Sequence, residues 1–522
     1  MKLFNRLSIS VGLLVLTLIA VTVVSLAMPV VAQEGPDLPT PTVFPAENTP
    51  YTLEVVGGKD ETFTFSYAEQ ETFKPGETTV TSEYPMGMRF TVTPSSTNGD
   101  ITEVTLFIVL VHGIQTRFPA EWDPDNNQWV ALPWDTGGQP PWTTFDFYWY
   151  IRDASGAYIE TPMNHMDYFD PYNEWFRSES DLLVLFWRDF GEEDPDTIAQ
   201  KMADTMASIQ PRKVAGFGIE LSYKPSAVIF PDQEAFAGMY GSGINNTRVA
   251  GFTSSDLGMS VQVLRHAGYA PTQEECIWST KPEDWTMERR INTIYSVTTH
   301  EVTHLYQFDV QGDAYGYLWW SEGQAEYFST APGKYDERLR HLATLQDLPS
   351  LQGDVPASTN EADGCYALAY DVGASFINWL LVNYGGLELH RQISEELHFG
   401  TSIFESIEKL TGKPFLEIEN EWRVYLGYKP LTAGDLDPSL ALEPYEDPLI
   451  AVGDKITLPA LPAMVPLGED PLPRTLAAGT CFSNPEVEVL KMGQSEGVAY
   501  FQINCMGMIG WVTRDKLVGA EQ

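Results

Sequence analysis

Apolar and polar residues alternate through the first third of the chain, as they do in half-buried strands. The alternation predicts strands over residues 52–56, 62–65, 89–92, 104–111 and 145–151. Residues 153–156 predict a turn, and a short strand at 157–159 follows it. Short strands separated by turns are typical of an immunoglobulin-like β-sandwich, which we predict over residues 51–166.

The middle of the chain combines continuous apolar runs with apolar residues at helical spacing. The runs predict buried strands at 181–187, 227–230 and 258–264, with a turn at 251–253 between the last two. The spacing predicts helices over 194–209 and 291–308, a helix that opens at 322, and later helices over 365–380, 389–397, 403–410 and 415–426. A domain built from both strands and helices is therefore expected after the β-sandwich.

The C-terminal part of the chain carries two patterns. Residues 431–471 are rich in proline and acidic residues and lack a sustained period, so we interpret them as a linker. Residues 472–520 contain short strand patterns and end in Gly-Trp-Val-Thr-Arg-Asp-Lys-Leu, which resembles bacterial SH3-like domains. The resemblance implies a small β-barrel of a type that often binds cell wall or peptide. A small barrel that only packs on its neighbour is the alternative.

The N-terminus predicts export. Lys2 and Arg6 precede an uncharged run at 7–31, and small residues before Ala32 suit a signal peptidase. We interpret residues 1–32 as a cleaved secretory signal and residues 33–50 as a polar linker. Retention of the run as a membrane anchor is the alternative, because the run is long enough to span a bilayer. Both interpretations place the body of the protein outside the cell or in the cell envelope.

The charge and the cysteines fit this compartment. The 522-residue chain has room for three or four domains and carries a formal net charge of -41, so nucleic acid and anionic membranes are poor partners. Four cysteines in an exported chain predict disulfides. The locally sensible pairing joins Cys276 to Cys365 and Cys481 to Cys505, although two other connectivities remain open.

One short motif carries the candidate chemistry. His300, Glu301 and His304 form His-Glu-x-x-His within a predicted helix, and Glu322 follows in the next helical segment. Residues four apart lie on one helix face, so both imidazoles can reach one metal ion while Glu301 lies beside it as a general base. Glu326, one turn after Glu322, can accept a hydrogen bond from the nitrogen of a ligand histidine that does not bind the metal. Two core histidines beside a solvated acidic helix face are the alternative interpretation.

The residues around this motif resemble those of the gluzincin peptidases. In that family the glutamate ligand lies in a Trp-x-x-Glu-Gly-x-Ala-x-Tyr motif, and residues 319–327 match it. Residues 170–430 resemble the peptidase-MA-like domain of secreted bacterial proteins, which implies an α+β zincin fold. The resemblance implies zinc bound by His300, His304 and Glu322, with Glu301 as the base.

The same resemblance implies two further roles. A tyrosine in the helix after the glutamate ligand stabilises the developing oxyanion, and Tyr370 is the best match, with Tyr366 as its rival. The strand at 258–264 corresponds to the edge strand that pairs with an extended peptide substrate. An ordinary strand and structural tyrosines are the alternatives.

The sequence therefore predicts a secreted zinc metallopeptidase that acts on protein or peptide substrates and contacts the cell wall through its SH3-like domain. Two other functions remain open at this stage. One is a cell-envelope binding or adhesion protein with an inactive peptidase domain. The other is a hydrolase of peptidoglycan stem peptides. No stable membrane partner is expected unless the N-terminal run is retained as an anchor.

Overall fold

The computed structural model describes residues 41–518 apart from 42, 60, 192, 240–250, 265–285, 313–316, 330–334, 354, 358–366, 437–443, 458–463, 469–476, 483–485, 496 and 506–507. The predicted leader, half of the first linker, Cys276, Cys365 and Tyr366 lie outside the described residues, so the predictions about them stay predictions. Within the described ranges, no helix has the length and apolar character needed to cross a membrane. The protein is a multidomain chain that combines several β-sheets with helices.

In the described part of the chain, thirteen strands precede residue 170. They are β1 Tyr51–Gly57, β2 Thr62–Ser66, β3 Phe73–Lys74, β4 Glu77–Ser82, β5 Met88–Val92, β6 Ser95–Ser96, β7 Ile101–Val109, β8 Gln115–Pro119, β9 Glu121–Asp123, β10 Gln128–Ala131, β11 Thr144–Asp153, β12 Tyr158–Glu160 and β13 Asn164–Asp167. The strands predicted at 62–65, 89–92, 104–111 and 145–151 are confirmed as β2, β5, β7 and β11. The turn predicted at 153–156 joins β11 to β12.

Two antiparallel sheets form the N-terminal β-rich domain. One has the strand order β2-β4-β5-β10-β9, and the other has the order β12-β11-β7-β8 with β13 beside β11. Their inward-facing residues share one core, in which Phe90 of β5 meets Leu106 of β7 and Phe147 of β11. Alternate residues of β4 and β11 are buried in this core, which explains the period of two in their sequences.

The first strand belongs elsewhere, which corrects the predicted domain boundary. Strand β1 was expected in the β-sandwich, but it pairs antiparallel with β14, Glu174–Ser180, in the sheet of the next domain. Leu53 packs against the core of that domain, and the Tyr51 hydroxyl donates to Asp196 Oδ1 at 2.8 Å. Alternation specifies a strand but not its partner, so the pairing is decided by these distant contacts.

A mixed six-stranded sheet lies at the centre of the second domain. Its strands are β1, β14, β15 Val184–Trp187, β16 Ser226–Phe230, β18 Met259–Val263 and β17 Gly251–Ser254, in that order. Leu185 and Ile229 face a helical core, whereas Phe186 and Val228 face the core of the β-rich domain. Both faces of the sheet are covered, so its central strands are continuous apolar runs rather than alternating ones.

Helices pack against this sheet, and several of them surround the candidate site. They are α1 Pro195–Phe217, α2 Gln233–Gly238, α3 Met287–Gln311, α4 Leu318–Tyr327, α5 Tyr335–Leu342, α6 Leu368–Tyr384, α7 Gly386–His398, α8 Ile403–Thr411 and α9 Phe415–Leu426, followed by a short α10 Ala433–Leu436. Helix α1 extends beyond its predicted end at 209. It continues through Pro211 because the turn after the proline, including Lys213 and Phe217, is buried.

The C-terminal segment forms a sheet of its own. Its strands are β19 Lys455–Thr457, β20 Met464–Gly468, β21 Ala477–Phe482, β22 Glu486–Ser495, β23 Val498–Cys505 and β24 Met508–Thr513, and α11 Arg514–Val518 follows. The order β19-β22-β23-β24-β20-β21 describes an open sheet rather than the predicted closed barrel. Strands β19 and β20 fall within the expected linker at 431–471, so the domain begins earlier than its strand pattern indicated.

Cys505 is the cysteine whose side chain the structure describes. Cys505 is buried and takes part in a disulfide, and no cysteine side chain in the described part of the chain is free. The side chain of Cys481 lies outside the described residues. The pairing therefore stays a prediction.

Candidate metal centre and active site

Helix α3 presents the His-Glu-x-x-His motif. Thr286 begins the helix, since its side chain accepts a hydrogen bond from the Arg289 backbone amide at 3.2 Å. Ile294 and Val302 are buried in the helical core, which holds the helix against its neighbours. The ring centroids of His300 and His304 lie 5.0 Å apart on the cavity side. The predicted helical placement of both histidines is confirmed.

Glu322 on α4 completes the candidate metal centre. Its Oε2 atom lies 3.1 Å from His300 Nε2 and 3.6 Å from His304 Nε2. One ligand atom from each of the three residues lies within 4.8 Å of the others, so the group can hold one metal ion. Two imidazoles and one carboxylate are the protein ligands of many catalytic zinc sites, which leave a fourth position open.

The charges in this group fit a bound cation. Burial by itself would lower the pKa of His300, but the adjacent carboxylates of Glu322 and Glu326 raise it to about 10. Burial by itself would raise the pKa of Glu322, but the two histidines lower it to about 2. The shifts show that the carboxylates stabilise positive charge on His300 and that the two imidazoles keep Glu322 ionised.

Close backbone packing brings α4 and α6 together. A Cβ atom at Gly373 would lie 1.8 Å from the Trp319 carbonyl oxygen, and a Cβ atom at Gly323 would lie 2.4 Å from the Gly373 carbonyl carbon. The helices can approach this closely because both positions are glycine and carry no Cβ atom. Glu322 precedes Gly323, and Tyr370 lies three residues before Gly373, so this contact sets both side chains on the same cavity.

Tyr370 lies at the cavity as predicted. Its ring stacks on that of His300 with a centroid separation of 5.9 Å. Burial raises the pKa of the Tyr370 hydroxyl, and the negative charges of Glu322 and Glu301 raise it further. The hydroxyl therefore stays protonated at neutral pH and can donate a hydrogen bond.

Glu301 is held by a strand that is distant in sequence. Its Oε2 atom accepts a hydrogen bond from the Thr253 hydroxyl at 2.7 Å. A Cβ atom at Gly251 would lie 3.1 Å from Glu301 Oε1, so the absence of a side chain there leaves room for the carboxylate. Both residues belong to β17, and neither carried a sequence signal for this role, because they lie about fifty positions before Glu301.

The position of β17 corrects the predicted substrate ledge. The strand at 258–264 is present as β18, but it is buried and pairs with β16 and β17 on its two sides. Among the strands that the structure describes, β17 is at the edge of the sheet, in the segment interpreted as a turn. A four-residue strand is too short for its alternation to be distinguished from turn residues.

Glu326 and Gln307 contact the Nδ1 atoms of the two histidines. His300 Nδ1 lies 3.2 Å from Glu326 Oε1, which is an ion-pair distance without hydrogen-bond geometry, so the hydrogen bond predicted for Glu326 stays a prediction. Tyr335 of α5 donates a hydrogen bond to the same carboxylate. His304 Nδ1 lies 2.8 Å from the Oε1 atom of buried Gln307. The contact with Gln307 was not predicted, although its spacing of three residues on a helix was a usable signal.

The site opens into a cavity of about 630 Å³. Its lining contains the two histidines, Glu301 and Glu322, and it also includes apolar Phe308 and Leu318. A space of this size accommodates part of a polymeric substrate beside the metal ligands.

Comparisons with known proteins do not assign this chain to a family. No protein-family model matches the chain, and no curated protein matches it. One solved structure that matches is a polysaccharide deacetylase from Bacillus cereus, which is 9% identical and covers 52% of this chain and 79% of its own. Its TM-score of 0.15 is too low to indicate a shared fold or activity.

Proposed function

We propose that the protein is a metal-dependent hydrolase, and in particular an exported zinc metallopeptidase of the gluzincin class. The observation that carries the proposal is the convergence of His300 Nε2, His304 Nε2 and Glu322 Oε2 beside the carboxylate of Glu301. This donor set suits zinc better than magnesium or calcium, which prefer oxygen ligands. The match of residues 319–327 to the gluzincin motif supports the same class.

Each side chain of the site has a separate role in the proposed peptide hydrolysis. His300, His304 and Glu322 would hold a zinc ion, which would supply the Lewis acid needed to activate water and polarise a carbonyl at neutral pH. Glu301, oriented by Thr253, accepts a proton from the attacking water and passes it to the leaving amine. The Tyr370 hydroxyl donates a hydrogen bond to the carbonyl oxygen as negative charge develops there. Glu326 and Gln307 keep the two histidines in the orientation that exposes their Nε2 atoms to the metal.

The proposal extends to the other domains. Two stacked antiparallel sheets support an immunoglobulin-like β-sandwich, and the open C-terminal sheet is proposed to be a divergent SH3-like domain that contacts the cell wall. The substrate is proposed to be protein or peptide. The N-terminal signal pattern supports action outside the cell or in the cell envelope.

The test is cleavage of casein by the purified protein and by two matched variants at equal zinc loading. Glu301→Gln removes the base, whereas Glu288→Gln makes the same chemical change at an exposed position on the same helix. We expect chelator-sensitive cleavage by the wild type and by Glu288→Gln, and a loss of about 100-fold or more in Glu301→Gln.

Other outcomes distinguish the alternatives. Zinc binding without cleavage of casein or of purified cell wall would favour a binding protein. Release of peptide fragments from cell wall alone would favour a peptidoglycan hydrolase. Absence of zinc binding by the wild type would refute the metal centre.

A further inference from the structure

One end of the cavity exposes large apolar side chains. Tyr317 and Leu318, at the start of α4, have exposed fractions of 37% and 43%. Phe308 lies one helical turn after His304 and Leu318 lies one turn before Glu322, so both line the cavity one turn away from the metal ligands. Apolar groups that remain open to a cavity gain free energy when a ligand covers them, so this end is suited to an apolar group.

A side chain of the β-rich domain, His112, contacts Phe308 at this end of the cavity. His112 lies in the turn between β7 and β8, and its ring centroid is 5.6 Å from that of Phe308. His112 Nε2 lies 3.3 Å from Asp309 Oδ1, and the side chains are 27% and 11% exposed. The ring of Tyr223 meets the other side of the imidazole at 5.1 Å with perpendicular planes. The imidazole is thus in contact with three residues of the second domain while part of it stays exposed.

The backbone of His112 is strained for a residue with a side chain. Its φ of 64° and ψ of 12° lie in the left-handed region, which glycine adopts far more readily. The same turn lies beside residues 255–257, and Ser255 lines the cavity. A strained conformation persists where surrounding contacts over-determine it, and here those contacts are with Phe308, Asp309 and Tyr223.

We propose that the apolar end of the cavity binds a bulky apolar side chain of a peptide substrate, and that His112 is the positioning residue that holds Phe308 as its wall. This inference deepens the proposed peptidase function and rests on it. The β-rich domain thereby contributes to substrate selection through one side chain, although none of its residues reaches the metal ligands in the described part of the structure.

Peptide binding tests the proposal without relying on turnover. The full-length, zinc-loaded Glu301→Gln protein is titrated with two peptides that differ only in a central Leu or Ser, and affinity is followed by calorimetry. We expect the Leu peptide to bind roughly tenfold more tightly, and Leu318→Ser to remove most of that preference. His112→Asn tolerates the left-handed backbone but lacks the ring, so we expect it to lower the preference about fivefold, with the zinc affinity unchanged.

A matched control and a second variant separate positioning from folding. His165 forms a 2.8 Å pair with Asp146 within the same β-rich domain, and His165→Asn is expected to keep the preference. Asp309→Ala should lower the preference as His112→Asn does, and the double variant should lose little more than either single variant. Equal preference in His112→Asn, Asp309→Ala and the parent protein would overturn the role of His112.

Hydrolysis of the same peptides by the corresponding proteins with Glu301 intact separates this inference from the proposed function. Binding with the Leu preference but no hydrolysis would refute the peptidase and retain the apolar subsite. Hydrolysis with equal KM for both peptides would refute the subsite and retain the peptidase. Failure to bind or cleave either peptide would refute both.

Discussion

Gly373 offers a test of the helix contact that assembles the candidate site. In Gly373→Ala the new Cβ atom would lie 1.8 Å from the Trp319 carbonyl oxygen and 2.7 Å from the Gly323 Cα atom. Ordinary contact begins at 3.4 Å, so the backbones of α4 and α6 must separate by about 1.6 Å. The obstacle is backbone on both sides, which cannot move aside as a flexible side chain can.

We expect this single methyl group to act on stability and on metal binding together. Overpacking of this severity should lower the free energy of unfolding of the second domain by roughly 3 kcal/mol. Separation of the helices also displaces Glu322, which precedes Gly323, so zinc affinity should fall at least about tenfold. Urea unfolding followed by tryptophan fluorescence measures the first effect, and competition with a chelating dye measures the second.

The matched control is Gly238→Ala. Gly238 lies in α2, and a Cβ atom there would meet nothing within 4 Å. Alanine is favoured over glycine in a helix, so this variant should be unchanged or more stable by up to about 1 kcal/mol. If Gly373→Ala shared the wild-type urea midpoint and zinc affinity, the close packing of α4 on α6 would not be what positions Glu322.

Three further predictions follow from the contacts behind the site. Gln307→Leu removes the partner of His304 Nδ1 and should weaken zinc binding by about tenfold in the dye competition. Arg338→Met leaves the Asp371 carboxylate buried without its cation and should lower the free energy of unfolding by about 3 kcal/mol at pH 8. The loss should be smaller at pH 5, because burial raises the pKa of Asp371 to about 6 and its protonation removes the unpaired charge. Burial lowers the pKa of His390 from 6.5 to about 4. The unfolded state therefore takes up a proton before the folded state does, and the free energy of unfolding should fall by about 3 kcal/mol as pH falls from 6.5 to 4. His390→Gln should flatten this pH dependence in urea unfolding.

Controls for these predictions come from exposed counterparts. Arg391 pairs with Glu388 at the surface, so Arg391→Met should change stability little. His398 is exposed on the same helix as His390, and His398→Gln should keep the wild-type pH dependence. An Arg338→Met loss that is equal at pH 5 and pH 8 would contradict the account of Asp371. Zinc affinity that is unchanged in Gln307→Leu would show that the contact with His304 does not tune the metal.

Local patterns predicted most of the elements of this protein and the ligands of its candidate metal centre. The helix at 291–308 and the strands at 227–230 and 258–264 are recovered because periodicity depends on neighbours in sequence. His300 and His304 share one helix face for the same reason, since four residues make about one turn. Glu322 and Glu326 were identified from a motif in a single helix, and the structure brings both to His300.

Tertiary structure decided which elements meet. It moved β1 out of the β-rich domain, placed β17 rather than β18 at the sheet edge, and added β19 and β20 to the C-terminal sheet. It also brought Thr253 to Glu301 and His112 to Asp309, over separations of 48 and almost 200 residues. A strand pattern is satisfied by many partners, and a polar side chain bonds to whichever group packing brings within reach. The ligands could therefore be predicted from the sequence, whereas the contacts that hold and border them depend on the packing of the whole chain.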